Sequence, residues 1–216
     1  MLKKFLTTLQ ILNPLAKSKS NLRKTKAQSL VEFAITLPII IVLLSGVVEF
    51  GFALNYYLSL LDATREAARF GSGSDPFMSG YGSSPNTNFY STVAGMVASS
   101  LDPKMRIPTY EGRRIPLDST IDDVIVTVYG INNGVATQFP TTGPYKLFGN
   151  QNSVFTATSI QSQFTSSSPN AGVLVVEVHY NYRMVLNLPW LSPFVPNPMM
   201  MRSYTIMPLG AAEPPN

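Results

Sequence analysis

The sequence predicts an α+β protein: a long N-terminal transmembrane helix, then a small extracytoplasmic head with short helices and an antiparallel sheet of about three strands. Three observations predict it. Residues 33–48 form a sixteen-residue run without a charge, directly behind a basic stretch. Helical spacing then continues to residue 70, where a Gly-Ser-Gly break follows. Beyond the break, valine-rich alternating runs are separated by Gly, Pro, Asn and Ser clusters, the pattern of antiparallel strands joined by turns. The expected organisation is a basic cytoplasmic leader over 1–27, a long helix over 28–70 with its span at about 33–54, and the head over 71–216.

Composition narrows the function classes. Charged residues are 13% of the 216, about half the usual quarter, as an embedded segment and a Ser/Thr/Asn-rich exterior would give together. There is no cysteine, which excludes disulfides, thiolate metal sites and cysteine nucleophiles. The net charge of +4 is a property of the leader. Lys3, Lys4, Lys17, Lys19, Arg23, Lys24 and Lys26 precede Gln28 with no acid among them, leaving nine basic against twelve acidic residues in the rest. A body of net negative charge repels phosphate backbones, so no nucleic-acid partner is expected.

A secretory signal peptide places its charges first, an apolar core next and a small-residue cleavage site close behind. Here the main charge cluster lies directly before Gln28 and the long apolar run follows it. Lysine and arginine are retained on the cytoplasmic side, so the topology is N-in and C-out. A span needs about 20 apolar residues, which residues 33–48 reach only by extending past Glu49 to Leu54. Pro38 cannot donate its backbone hydrogen bond and predicts a kink near Ala34. Gly46, beside Ser45, offers a place where another helix could pack closely. Glu32 falls in the first turns, where the helix dipole favours a carboxylate. Glu49 belongs near the far interface, because an ionised acid in lipid costs several kcal/mol unless paired or near the surface.

After Leu54, Tyr57, Leu61, Thr64 and Ala68 recur at helical spacing. Asp62, Arg65, Glu66 and Arg69 supply charges three and four apart. Gly71 is the expected stop. A helix over 30–70 measures about 60 Å, and roughly half of it would stand outside the bilayer.

In the head, residues 71–88 read as a loop with apolar insertions at Phe77, Met78 and Tyr81, and 89–101 as an amphipathic helix facing inward through Val93, Met96 or Val97, and Leu101. Asp102-Pro103 ends it, and Pro108 and Pro116 keep the next stretch irregular. Residues 123–129 predict a strand with Val124, Val126 and Val128 on one face. The segment on to 152 reads mostly as loop, and 155–164 as a short helix with Ile160 and Phe164 inward. A turn over 166–172 precedes a strand over 173–184. Its even positions are apolar or aromatic, and Glu177, His179, Asn181 and Arg183 make the other face polar, as in a half-exposed strand. Residues 186–198, with four prolines, predict an extended loop, and 201–207 a last strand.

Catalytic chemistry is not apparent. His179 is the single histidine, and one imidazole without further nitrogen or thiolate donors is a poor metal site. Asp122-Asp123 reads as a turn or cap rather than an acid pair. Gly71-Ser72-Gly73 follows a helix rather than a strand, so it is no phosphate loop. No enzyme activity, cofactor or metal is expected.

More specific are three elements in order: Gln28-Ser29-Leu30-Val31-Glu32-Phe33-Ala34-Ile35-Thr36-Leu37-Pro38, then Gly46-Val47-Val48-Glu49-Phe50-Gly51, then Asp62-Ala63-Thr64-Arg65-Glu66-Ala67-Ala68-Arg69-Phe70. This stretch resembles the TadE-like family, and its beginning resembles the processing site of type IV pilin-like proteins. The resemblance implies a pilin-like fold and a pseudopilin or minor pilin of the tight adherence, Flp-type, pilus apparatus, in the bacterial cytoplasmic (inner) membrane or incorporated into a surface pilus. It implies a prepilin peptidase cut between Ala27 and Gln28, with Ala27 where glycine is usual. Glu32 then becomes the fifth mature residue, in register with a neighbouring subunit's new amine. By the same resemblance Glu32 and Glu49 serve assembly, Pro38 and Gly46 shape helix packing, and the partners are the lipid bilayer, the peptidase and other pilin-like subunits. The competing expectation is an uncleaved membrane-anchored surface protein whose head binds an extracellular partner.

Overall fold

A computed structural model describes residues 14–77, 86–165 and 170–210, with side chains from residue 28 onward. The start of the leader, the insertions at Met78 and Tyr81, and most of the expected turn, residues 166–169, lie outside the described residues. Helix α1 runs over Pro14–Ser72. It is followed by α2 (Thr87–Leu101), a 3-10 turn (Pro103–Met105), strands β1 (Asp123–Asn132), β2 (Val135–Phe139) and β3 (Tyr145–Lys146), α3 (Ala157–Gln161), β4 (Ala171–Tyr182) and β5 (Met199–Leu209). The architecture is α+β, with a long apolar N-terminal helix as expected.

The sheet has five antiparallel strands rather than about three. The order is β2-β1-β4-β5, and β3 pairs with the part of β1 that β2 leaves free, at Ile125 and Val126. The additional strands come from the segment expected to be mostly loop. Asn133 and Gly134 both have positive φ, 50° and 78°, the geometry of a two-residue hairpin turn that Asn-Gly adopts with little strain. The turn folds Val135 back against Asn132.

Helix α1 departs from expectation at both ends. It begins inside the leader, with proline at its first position, where the missing N–H costs nothing. It runs unbroken through Pro38 and past Gly71 to Ser72. Gly71 is buried rather than simply terminal. A Cβ there would lie 2.6 Å from Leu174 and 3.0 Å from Val93, so glycine lets the last turn press onto the sheet.

The C-terminal half of α1 does not rise free. It packs along β5, β4 and α2, burying Leu60, Ala63, Thr64, Ala67 and Ala68. That stripe includes the expected Thr64 and Ala68 but is turned from Tyr57, which stays exposed. Small residues let the helix axis approach the sheet, and Thr64 Oγ1 meets Thr205 Oγ1 at 3.0 Å. Val93, Val97 and Leu101 of α2 complete this layer. Against it the sheet presents Val124, Val126 and Val128 paired with Val178, Val176 and Leu174; burying each such side chain contributes about 1.5–3 kcal/mol.

The opposite face of β4 is covered, not half-exposed. Glu177 and His179 are 1% exposed, because the chain from residue 147 to 164 folds across them. Ile160 on α3 seals Tyr129, Ile131, Val173 and Val175, with Phe164 packed beside them. α3 is shorter than expected and starts at a Thr156–Ser159 capping box.

Candidate assembly helix and its carboxylate clamp

The N-terminal half of α1 presents a continuous exposed surface over its described side chains. Every residue over 28–41 is exposed, including Leu30, Phe33, Ile35, Ile39 and Ile41. An apolar helix with no protein on any face is suited to lipid or to other helices. Glu32 is the one charged residue in that exposed stretch. Its backbone carbonyl accepts from Thr36 Oγ1 at 2.8 Å. Ala27 and Gln28 both lie inside the helical run.

Glu49 sits differently. It is 5% exposed, and both its oxygens accept from its own chain. Oε1 takes the Tyr182 hydroxyl at 2.5 Å and the Val185 N–H at 2.8 Å; Oε2 takes the Leu186 N–H at 2.9 Å. The clamp forms where β4 ends, so the carboxylate fixes the strand's last residues to the helix. The Tyr182 phenol is pushed upward by burial and by its bond to this carboxylate. Tyr56 on α1 lies edge-on to Tyr182 and stacks with Tyr180, and the Arg113 guanidinium lies over the Tyr56 ring, 4.8 Å from its centroid.

Below the clamp, the segment between β4 and β5 runs beside α1. Trp190 Nε1 donates to Ser45 Oγ at 3.1 Å. Leu191 is the side chain nearest a Cβ built on Gly46, at 3.9 Å. Gly46 was expected to receive another helix; here this segment approaches it. A cavity of about 450 Å³ remains between the two, lined by Phe50, Leu54, Leu191, Val195 and Met199 among others.

The two aspartates at the head of β1 were expected to make a turn or cap; they do accept local N–H groups, and they also hold distant segments. Asp123 accepts from the N–H groups of Val124, Phe148 and Gln151. Asp122 accepts from Asn181 and Asp118. Under the cover of 147–164, Glu177 accepts from Ser153 Oγ and the Val154 N–H, and its Oε2 stands 3.6 Å from His179 Nε2. His179 is beside Glu177, as expected, but in the interior of the head.

The family resemblance implies an assembly role for both Glu32 and Glu49, and the structure gives them different surroundings, Glu32 exposed and Glu49 buried. Residue-level reading missed Tyr182 and the amides of 185 and 186 as partners of Glu49. One signal was available: Tyr182 continues the apolar face of β4, the face turned to the helix.

No curated protein and no solved structure matches the chain. The model of the family described as TadE-like protein matches residues 27–69, about a fifth of the chain, a stretch that holds Glu32, Glu49 and most of α1, and by that match the chain carries a TadE-like segment.

Proposed function

We propose that the protein is a non-enzymatic, single-pass pseudopilin or minor pilin that takes part in assembling a tight adherence, Flp-type, pilus and in the cell adhesion it provides. The observation that carries this is the coincidence of the family match with a helix exposed on all sides over 28–41 and bearing a single acid, Glu32. An acid kept in an apolar stretch is costly unless it meets a positive charge. Cleavage between Ala27 and Gln28 by prepilin peptidase would create that charge on the neighbouring subunit, four residues before its own Glu32. Two opposite charges lower each other's desolvation cost and set axial register. The basic leader keeps the N-terminus in the cytoplasm and the head outside the inner membrane.

Mass spectrometry of the membrane-fraction protein tests the cut. A mature terminus at Gln28, lost when the peptidase is deleted, is expected; an intact leader in cells with active peptidase would favour an uncleaved anchored surface protein. Glu32→Ala should leave membrane insertion unchanged and lower co-purification with other pilus subunits. Equal co-purification of variant and wild type would remove the register role.

A further inference from the structure

We infer that residues 185–200, the loop after β4 with the first two residues of β5, form a second membrane-contacting element seated in the outer leaflet beside the span of α1. The inference rests on the single-pass reading above and adds to it where the head meets the bilayer.

Four observations converge. The first is depth. Twenty residues of hydrocarbon span counted from Gln28 or from Phe33 end near residue 47 or 52, so Ser45 lies about 3–10 Å below the outer boundary at 1.5 Å per residue. Trp190 is hydrogen-bonded to Ser45 and Leu191 lies against Gly46. The loop cannot touch those residues and remain in water.

The second is composition. No charged residue occurs between Arg183 and Arg202, and Val185, Leu186, Trp190, Phe194 and Met200 are exposed, Phe194 at 79%. Large apolar side chains turned outward, with an indole among them and an arginine at either end, match an interfacial layer in which arginine reaches the headgroups.

The third is backbone satisfaction. Non-helical chain at membrane depth must find partners for its N–H groups. Pro189, Pro193, Pro196 and Pro198 have none to satisfy. Of the ten N–H groups over 185–198, those of Val185 and Leu186 donate to Glu49 and those of Leu191, Phe194 and Val195 to carbonyls of the loop itself; the other five take headgroup or water partners, which holds the loop at the headgroup boundary of the leaflet. The fourth is the cavity of about 450 Å³ between loop and helix, lined by Phe50, Leu54 and Met199, a groove suited to an acyl chain.

Trp190 is the single tryptophan, so the unmodified full chain reports on its own loop. Reconstituted into phosphatidylcholine vesicles with brominated acyl chains, it should lose about half its emission, most with bromine near the glycerol end, where interfacial indoles sit. Aqueous iodide should quench it little. Phe194→Cys carrying an environment-sensitive dye should shift to the blue on reconstitution. Flotation after an alkaline carbonate wash separates the two readings. Protein stripped from the vesicles would overturn the span and the loop together. Protein that floats while Trp190 ignores the bromines would overturn the loop alone, with the indole in water or against a second copy.

Discussion

Replacing Glu49 tests how the head is joined to the helix. In Glu49→Ala three donors lose their acceptor, but unequally. The Val185 and Leu186 amides belong to exposed residues at the level of Glu49, near the outer boundary of the span, and can take headgroup water, whereas the Tyr182 hydroxyl is in a residue 2% exposed. Orphaning a buried donor costs about 1–3 kcal/mol, and hydrogen bonds to a charged group contribute about 1.5–3 kcal/mol each. With the two amides largely rehydrated, the expected loss is about 3 kcal/mol. For a domain of this size, roughly 2–4 °C per kcal/mol, the melting temperature should fall by about 10 °C.

Glu49→Gln separates the bonds. Its amide oxygen can keep Tyr182 and Val185, both on Oε1 in the wild type, while its NH2 group would face the Leu186 N–H. The cost should be about 2 kcal/mol, one bond to a charged group lost. Tyr182→Phe should cost a similar amount, since both amides still reach the carboxylate. The assay is thermal unfolding of the full chain in detergent, followed by near-ultraviolet circular dichroism, with hydrogen exchange at Val185 and Leu186. In Glu49→Ala both amides should exchange faster, and in Glu49→Gln only that of Leu186. Unchanged melting and exchange in Glu49→Ala, or equal damage from alanine and glutamine, would refute the clamp.

Gly71 sets up an opposition between local and tertiary effects. Alanine gains about 1 kcal/mol of helix propensity, but its Cβ would meet Leu174 at 2.6 Å, and overpacking costs about 1–3 kcal/mol. Gly71→Ala should therefore be mildly destabilising and Gly71→Val more so; denaturant midpoints rising in either variant would contradict the close approach. Burial pushes Tyr180 up to about 12, helped by Tyr56 and Asp122, and Tyr129 up to about 12, helped by Glu177. A phenol held above its ordinary value of about 10 contributes stability that is whole below that pH and is lost as pH rises through the folded value. Tyrosinate absorbance for Tyr180, assigned with Tyr180→Phe, should thus appear between about pH 10 and 12 together with loss of fold; ionisation near 10 in an intact head would refute it.

Much of the head was legible because its signals are local. The alternation of Val124, Val126 and Val128 and the spacing of Val93, Val97 and Leu101 each mark a buried face within one element. Asn133-Gly134 was an equally local hairpin signal, and reading its neighbourhood as loop cost two strands. Burial of Glu177 and His179 had no such mark. Their polarity argued for solvent, and only the chain over 147–164, far along the sequence, supplies the cover and the donors that make the interior tolerable for a carboxylate.

For the candidate site the division is sharper. Charge order, an uncharged run and the family's motifs are properties of adjacent residues, so the sequence by itself determined a basic leader, a membrane-length helix and the isolation of Glu32. Whether the helix beyond Gly46 stands free or becomes the centre of the head depends on contacts separated by more than a hundred residues. Glu49 shows this most plainly. By sequence it is a second acid in an apolar helix, expected near the far interface as Glu32 is expected near the first. The tertiary structure decided otherwise, because the end of β4 brings one hydroxyl and two amides within hydrogen-bonding distance of its carboxylate, and pairing within the chain offsets the desolvation cost of burying it.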